Sequence, residues 1–315
     1  MPSDRPPIIA PRANPHAPEA AVFIDRWVRR TGLIQSFSAQ QRFRKAGCAD
    51  YAARVMPDAD RERLKRGAAW LVWLFILDDQ VAEHGPGGLT GQSPPFADAL
   101  LDFLPPDLRR TPPPRTAAQR GLADAWRMVA PAMSPAWRLR FLGRFHAFLG
   151  ARLMETAGRE CRAAGVSRPL HDLIEYTCGY EVPPPVRELP AFGALTGAAV
   201  LPHPRERGFP PELLAARAAA VRRARSRLAR DMARRGLPPE VTAPAAAYAG
   251  ALARWLGGLP GDGELPSRHR RLSFTEDVTG VPVDLLRPRR PVPPPAPSTG
   301  DGTGAPAGVS EGGRE

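Results

Sequence analysis

Lysine is almost missing from this chain. Lys45 and Lys65 are the only two, so a net charge of +12 over 315 residues rests on arginine. That bias reflects coding composition as readily as function. It favours anionic partners in general, whether diphosphates, nucleic acid or a membrane surface, without choosing among them. Cysteine is scarce too. Cys48, Cys161 and Cys178 are far apart and form no Cys-x-x-Cys pair, which argues against a disulfide framework or a zinc site and for reduced thiols in a cytoplasmic protein. Long apolar runs are absent: the longest, 68–77, is about half a membrane span. Residues 1–15 are polar and proline-rich with no apolar core, so no signal peptide is expected. Strand signals, in the form of sustained apolar–polar alternation with β-branched enrichment, are lacking. No Ser/His/Asp or Cys/His arrangement stands out.

What is present is helical periodicity. Candidate helices cover 18–31, 37–55, 60–84, 96–103, 116–130, 135–163, 171–180, 211–235 and 239–256, with loops marked by proline and glycine at 85–95, 105–114 and 183–185. Hydrophobic residues make up 43% of the chain, enough for a sizeable core. From about Thr275 the sequence becomes a Pro/Gly/Ser stretch without the apolar residues that offset ordering entropy. The expectation is one all-α domain over 13–274, a disordered arm at 1–12 and a disordered tail at 275–315.

One helix carries the chemistry. The run Trp70-Leu71-Val72-Trp73-Leu74-Phe75-Ile76-Leu77 ends in Asp78-Asp79, with Glu83 and His84 close behind. Two like charges about 4 Å apart repel by about 4 kcal/mol at an effective dielectric of 20. A positive partner must offset that cost, or one acid stays protonated. A hard divalent cation is the natural partner, because it takes carboxylate oxygens and keeps positions open for phosphates. Asp79 and Glu83 lie one turn apart on one face, with Asp78 displaced by about 100°. A solvated helix end at the Gly85-Pro86-Gly87-Gly88 stop accounts for the same pattern. His84 adds a nitrogen, but Mg²⁺ prefers oxygen.

The surrounding segments carry a resemblance. Asn14-Pro15-His16, Arg54-Val55-Met56-Pro57-Asp58-Ala59, Trp73 to Gln80, Gly121 to Arg127 and Met133 to Phe141 are similar to the N-terminal half of bacterial class I terpene synthases. The match runs over 13–180 and returns weakly at 237–271. It implies an all-α class I terpene synthase-like helical bundle and Mg-dependent ionisation and cyclisation of a prenyl diphosphate, farnesyl or geranyl. It further implies a monomer or homodimer with no nucleic-acid partner. Asp78-Asp79 with Glu83 looks like the family's Asp-Asp-x-x-x-Glu variant, which would hold Mg²⁺, with Mn²⁺ as an alternative. Arg268-His269 sits where an Arg-Tyr pair would contact diphosphate. Trp73 and Phe75 would line the cavity, Phe75 lying three residues before Asp78; ordinary core packing is the other reading for each ring.

The same resemblance fails in places. The family's second metal motif, Asn-Asp-x-x-Ser-x-x-x-Glu, has no counterpart, because the sequence contains no Asn-Asp pair. His171-Asp172-Leu173-Ile174-Glu175-Tyr176 is only superficially similar, with Gly179 where the last carboxylate belongs. It reads instead as the preceding segment, with Tyr180 in place of a diphosphate-sensing arginine and Pro183-Pro184-Pro185 in place of Thr-x-Gly. Arg187 is either a substitute for that arginine or a surface residue. Only 66 positions separate Pro202 from Arg268, so a segment of about forty residues, roughly two helices, is missing or replaced. The gap is filled by an Arg-rich helix at 211–235 with a narrow apolar stripe of Leu214, Val221 and Leu228. It reads as a solvated face, or as a surface for an anionic partner. A degenerate, non-catalytic relative that binds prenyl diphosphate or such a partner is the alternative function.

Overall fold

The computed structural model describes residues 12–83, 98–156, 168–199 and 211–258; for 78, 79, 81–83, 152–156 and 168 only the helical backbone is described. Every regular element among them is helical. In chain order they are α1 (Ala17–Arg30), α2 (Phe37–Lys45), α3 (Cys48–Val55), α4 (Arg61–Glu83), α5 (Ala117–Val129), α6 (Pro135–Thr156), α7 (Arg168–Cys178), α8 (Pro184–Arg187), α9 (Pro190–Ala198), α10 (Pro211–Arg234) and α11 (Pro239–Gly257).

Local chemistry sets the starts. Asp60 Oδ1 accepts from Arg63 N at 2.8 Å and Ser36 Oγ from Ala39 N at 2.9 Å. Thr116 and Gln119 form a reciprocal capping box ahead of α5, satisfying amides that the helix itself leaves orphaned. The expected single helix over 37–55 is two, because Gly47 adopts φ +61° and turns the chain between α2 and α3, a conformation that side chains with a Cβ resist.

α4 is the hub and packs against α1, α3, α5, α6 and α7. Its Trp70 and Trp73 are at most 1% exposed and sit among Trp126, Phe141 and Phe145, with Trp70–Phe141 centroids 5.0 Å apart and Trp73–Phe145 5.7 Å. Trp70 Nε1 donates to Ala125 O at 3.1 Å and Trp73 Nε1 to Ala118 O at 2.9 Å, so both indoles are satisfied as buried polar groups must be. The N-terminal arm is fixed to the same core: Asn14 Nδ2 donates to Met56 O at 2.9 Å and Ala59 O at 2.8 Å. α9 packs on α10, and α10 on α11, whose other face meets α7 and α3. The prolines at 183–185, expected as a loop, open α8, where Pro184 and Pro185 sit at the first helical turn that proline tolerates. Neither Cys48 nor Cys178 is in a disulfide, and no helix among the described residues is long and apolar enough to cross a membrane.

Candidate functional site

α4 stays helical through Glu83, with no basic residue in its last turn. Asp78, Asp79 and Glu83 therefore stand at the carbonyl end of a 23-residue helix, where the aligned peptide dipoles already contribute partial negative charge. Three carboxylates there add repulsion to repulsion. Such a donor set, oxygen only and rich in negative charge, fits a hard divalent cation. The backbone also sorts the neighbouring rings. At about 100° per residue, Phe75 lies about 40° from Asp79 and 60° from Asp78, whereas Trp73 lies about 120–140° from both.

The two aromatic candidates consequently part company. Trp73 faces α5, spends its indole N–H on Ala118 and presses on Gly121, where an added Cβ would meet Trp73 Cδ1 at 3.0 Å. Of the two readings that the sequence leaves for this ring, its packing is that of a core residue. Phe75 is only partly buried and meets Tyr51 of α3 edge-on, centroids 5.5 Å apart, on the side of α4 that continues into the acids. Arg268, His269 and His84 lie outside the described residues, as do 1–11 of the predicted arm 1–12 and the whole predicted tail 275–315.

α7 carries the acids that the sequence reading set aside. Asp172 and Glu175 are each 1% exposed and both are bonded by guanidinium groups, although Asp172 Oδ2 has no hydrogen-bond partner of its own. Arg140 and Arg144 of α6 reach Asp172 Oδ1 at 3.0 and 2.6 Å, and Arg140 also bonds Glu175 Oε2. Glu175 Oε1 accepts from Val182 N at 3.0 Å and from Arg187. Arg187 is thus a partly buried structural partner, with Nε donating to Val182 O at 2.7 Å, and not the surface residue that its proline-rich context suggests. Burial pushes the Glu175 carboxyl upward against the pull of Arg140 and Arg187, and pushes the Arg187 guanidinium downward. Carboxylates bonded to three arginines are poor metal ligands, and no group of three or more His, Cys, Asp or Glu among the described residues is arranged for a metal. The signal was available in sequence: Asp172 and Glu175 lie on one face, as do Arg140 and Arg144.

α7 ends at Cys178 because Gly179 has φ +81°, with Gly179 N donating to Tyr176 O and Tyr180 N to Glu175 O, the hydrogen-bond pair of a Schellman cap. The Arg63 guanidinium occupies the space a Cβ would take. Residue 179 therefore cannot supply a metal-binding carboxylate. Tyr180, half-buried, has its phenol pushed upward by burial beside Cys178.

Two cavities, of about 680 and 650 Å³, open on the α1–α5 side, and neither is lined by a residue of α4 beyond Arg66. They are separate from the acid-bearing end.

Comparison with known proteins agrees with this helical frame. Residues 69–201 match the model for terpene synthase family 2, C-terminal metal binding. Pentalenene synthase of Streptomyces avermitilis is 32% identical over 173 residues, 50% of each chain. (2Z,6E)-Hedycaryol synthase of Kitasatospora setae is 31% identical over 154 residues, 49% of this chain and 44% of that one. The chain thus spans about half the length of the curated relatives it matches. The solved structure described as "Hedycaryol apo" superposes with a TM-score of 0.63 at 24% identity, covering 82% of this chain and 97% of that chain, a likeness of fold.

Proposed function

The chain belongs to the bacterial class I terpene synthase family, and we propose that it is a lyase that ionises and cyclises a prenyl diphosphate, farnesyl or geranyl diphosphate. The observation that supports this reading is the continuation of α4 as helix to Glu83, so that Asp78, Asp79 and Glu83 follow one another along its last turns. Those three carboxylates would hold Mg²⁺, with Mn²⁺ as the alternative. Bound there, the metal supplies positive charge to neutralise the departing diphosphate.

In this reading the substrate's allylic C–O bond breaks and the electron pair leaves with the diphosphate. Arg268, with His269 beside it, binds that anion. The carbocation left behind is attacked by the substrate's own double bond, closing a ring. Loss of a proton then gives a hydrocarbon, or capture of water an alcohol. The face of Phe75 stabilises positive charge through its quadrupole without offering a lone pair that would capture the cation. The aliphatic side of α4 excludes water from the reacting end.

The test is incubation of the purified chain with geranyl, farnesyl and geranylgeranyl diphosphate plus Mg²⁺, with volatile products read by mass spectrometry. A cyclic product that disappears on chelation is expected. No product from any of the three, with the protein helical and folded, contradicts the reading. A second reading, a non-catalytic relative that still binds prenyl diphosphate, has one observation in its favour: α7 stops at Gly179 and presents Tyr180 at the position of the family's sensing arginine. Saturable binding without turnover distinguishes it.

A further inference from the structure

We propose that the larger cavity on the α1–α5 side is a metal-independent anion site that takes a diphosphate group. It lies between the C-terminal end of α1, the connection 105–114 and the outer face of α5, and encloses about 680 Å³, within the size range of small-molecule sites. Arg30, Arg109, Arg110, Arg120 and Arg127 line it against a single carboxylate, Asp124. Each guanidinium offers five N–H donors, in a fork that matches phosphate oxygens.

The arginines are held in place. Asp124 Oδ2 accepts from Trp27 Nε1 at 2.8 Å and Arg30 Nη2 at 2.7 Å, and its Oδ1 accepts from Arg127 Nη2 at 3.1 Å. One acid, anchored by a buried indole, thus fixes two arginines at one wall. One turn before Asp124 on the same helix, Arg120 Nε donates to Thr31 O at 3.1 Å, which leaves its terminal nitrogens for other partners. Among the described residues neither Arg110 nor Arg120 is paired with a carboxylate. The rim that carries Arg109 and Arg110 is itself constrained. Leu108 has φ +62°, a conformation unfavourable for a branched side chain, and Trp126 Nε1 donates to Pro105 O at 3.0 Å. Pro112, Pro113 and Pro114 stiffen the far side of the connection.

Five guanidiniums against Asp124, with Asp107 also 3.9 Å from Arg109, still leave an excess of positive charge that a carboxylate, with one charge and two oxygens, would not balance. A diphosphate, with two or three charges and oxygens at both ends, spans the gap between walls. A nucleic-acid duplex is too broad for so small a concavity. The strain at Leu108 belongs with the same site, because it aims the next two residues, both arginines, at the opening. This inference rests on the groove alone and not on the acid-bearing end of α4.

The experiment is calorimetric titration of the full chain with inorganic pyrophosphate at low salt in EDTA, which removes any metal-dependent binding. One saturable equivalent is expected, weakened tenfold or more in the exposed double variant Arg109→Glu/Arg110→Glu and in Arg120→Gln, and unchanged in Asp78→Asn/Asp79→Asn. Circular dichroism confirms that each variant stays helical. Absence of saturable binding overturns the proposal, as does an unchanged affinity in the groove variants or a loss confined to the Asp78/Asp79 variant. ADP and geranyl diphosphate form the remaining arms. Equal affinity for all three identifies the free anion as occupant, and tenfold preference for one ester identifies its organic part. No arm reads turnover, so this result is independent of the proposed cyclisation.

Discussion

The ring of Phe75 meets that of Tyr51 edge-on, with centroids 5.5 Å apart and planes at 67°. α3 therefore backs the side of α4 that leads to Asp78 and Asp79, while Trp73 turns the opposite way into α5. Truncating the two rings should have different consequences. Phe75→Leu is expected to leave the fold intact and to alter product distribution or lower kcat. Trp73→Ala should cost about 3–5 kcal/mol of stability, seen as a large fall in the denaturation midpoint before activity is considered.

Glu175 is buried and Arg187 partly buried, and each loses a bond when the other is removed. Arg187→Ala leaves Glu175 with Arg140 and Val182 N and is expected to destabilise by about 1–3 kcal/mol, measured by urea denaturation. Glu175→Gln should behave similarly, since Val182 N keeps an acceptor while Arg187 loses its counter-charge and Arg140 keeps Asp172 alone.

Gly179 is a second sensitive point. Ala at this position needs a positive φ and meets the Arg63 guanidinium, so Gly179→Ala should cost at least about 1 kcal/mol. The double variant Gly179→Ala/Arg63→Ala should recover the part due to the clash, leaving the backbone part.

Asp25 gives the pH dependence. Its carboxyl is held below the usual range by Arg44, with Gln40 adding a hydrogen bond against the opposing effect of burial. A carboxyl with a lowered folded-state pKa contributes stability above its unfolded value, about 3.9, and that contribution is lost as pH falls through the folded value. Asp25→Asn should therefore lower Tm by a few degrees at pH 7, and thermal melts of the two proteins should converge as pH falls through the lowered folded-state value.

The fold was legible where apolar residues repeat with a helical period and a cap marks the start. Asp60, Thr116 and Pro135 opened their helices within a residue of where the pattern placed them. The break at Gly47 was not legible, because a lone glycine inside a helical pattern is often tolerated. α8 was hidden by Pro183-Pro184-Pro185, which signals a loop although proline also suits a first helical turn. The acids of α4 were visible as an abrupt change from apolar to charged. The cluster of Arg140, Arg144, Asp172, Glu175 and Arg187 was missed, since charged residues ordinarily read as surface; the spacing shows which of them share a helix face, and the packing of α6, α7 and α8 shows that the two acids are buried against the arginines. Trp73 and Phe75 looked alike in sequence; the helix's rotation and its neighbours separate them.

The most direct measurement is release of inorganic pyrophosphate from farnesyl diphosphate, with Mg²⁺ present, by the unmodified chain and by Asp78→Asn. If cleavage of the allylic C–O bond runs through the acid-bearing end of α4, the unmodified chain releases pyrophosphate in step with a cyclic product, and the variant loses both by a hundredfold or more. Equal release by the two proteins, or none from a folded wild-type chain that still binds the substrate, would contradict that role for α4.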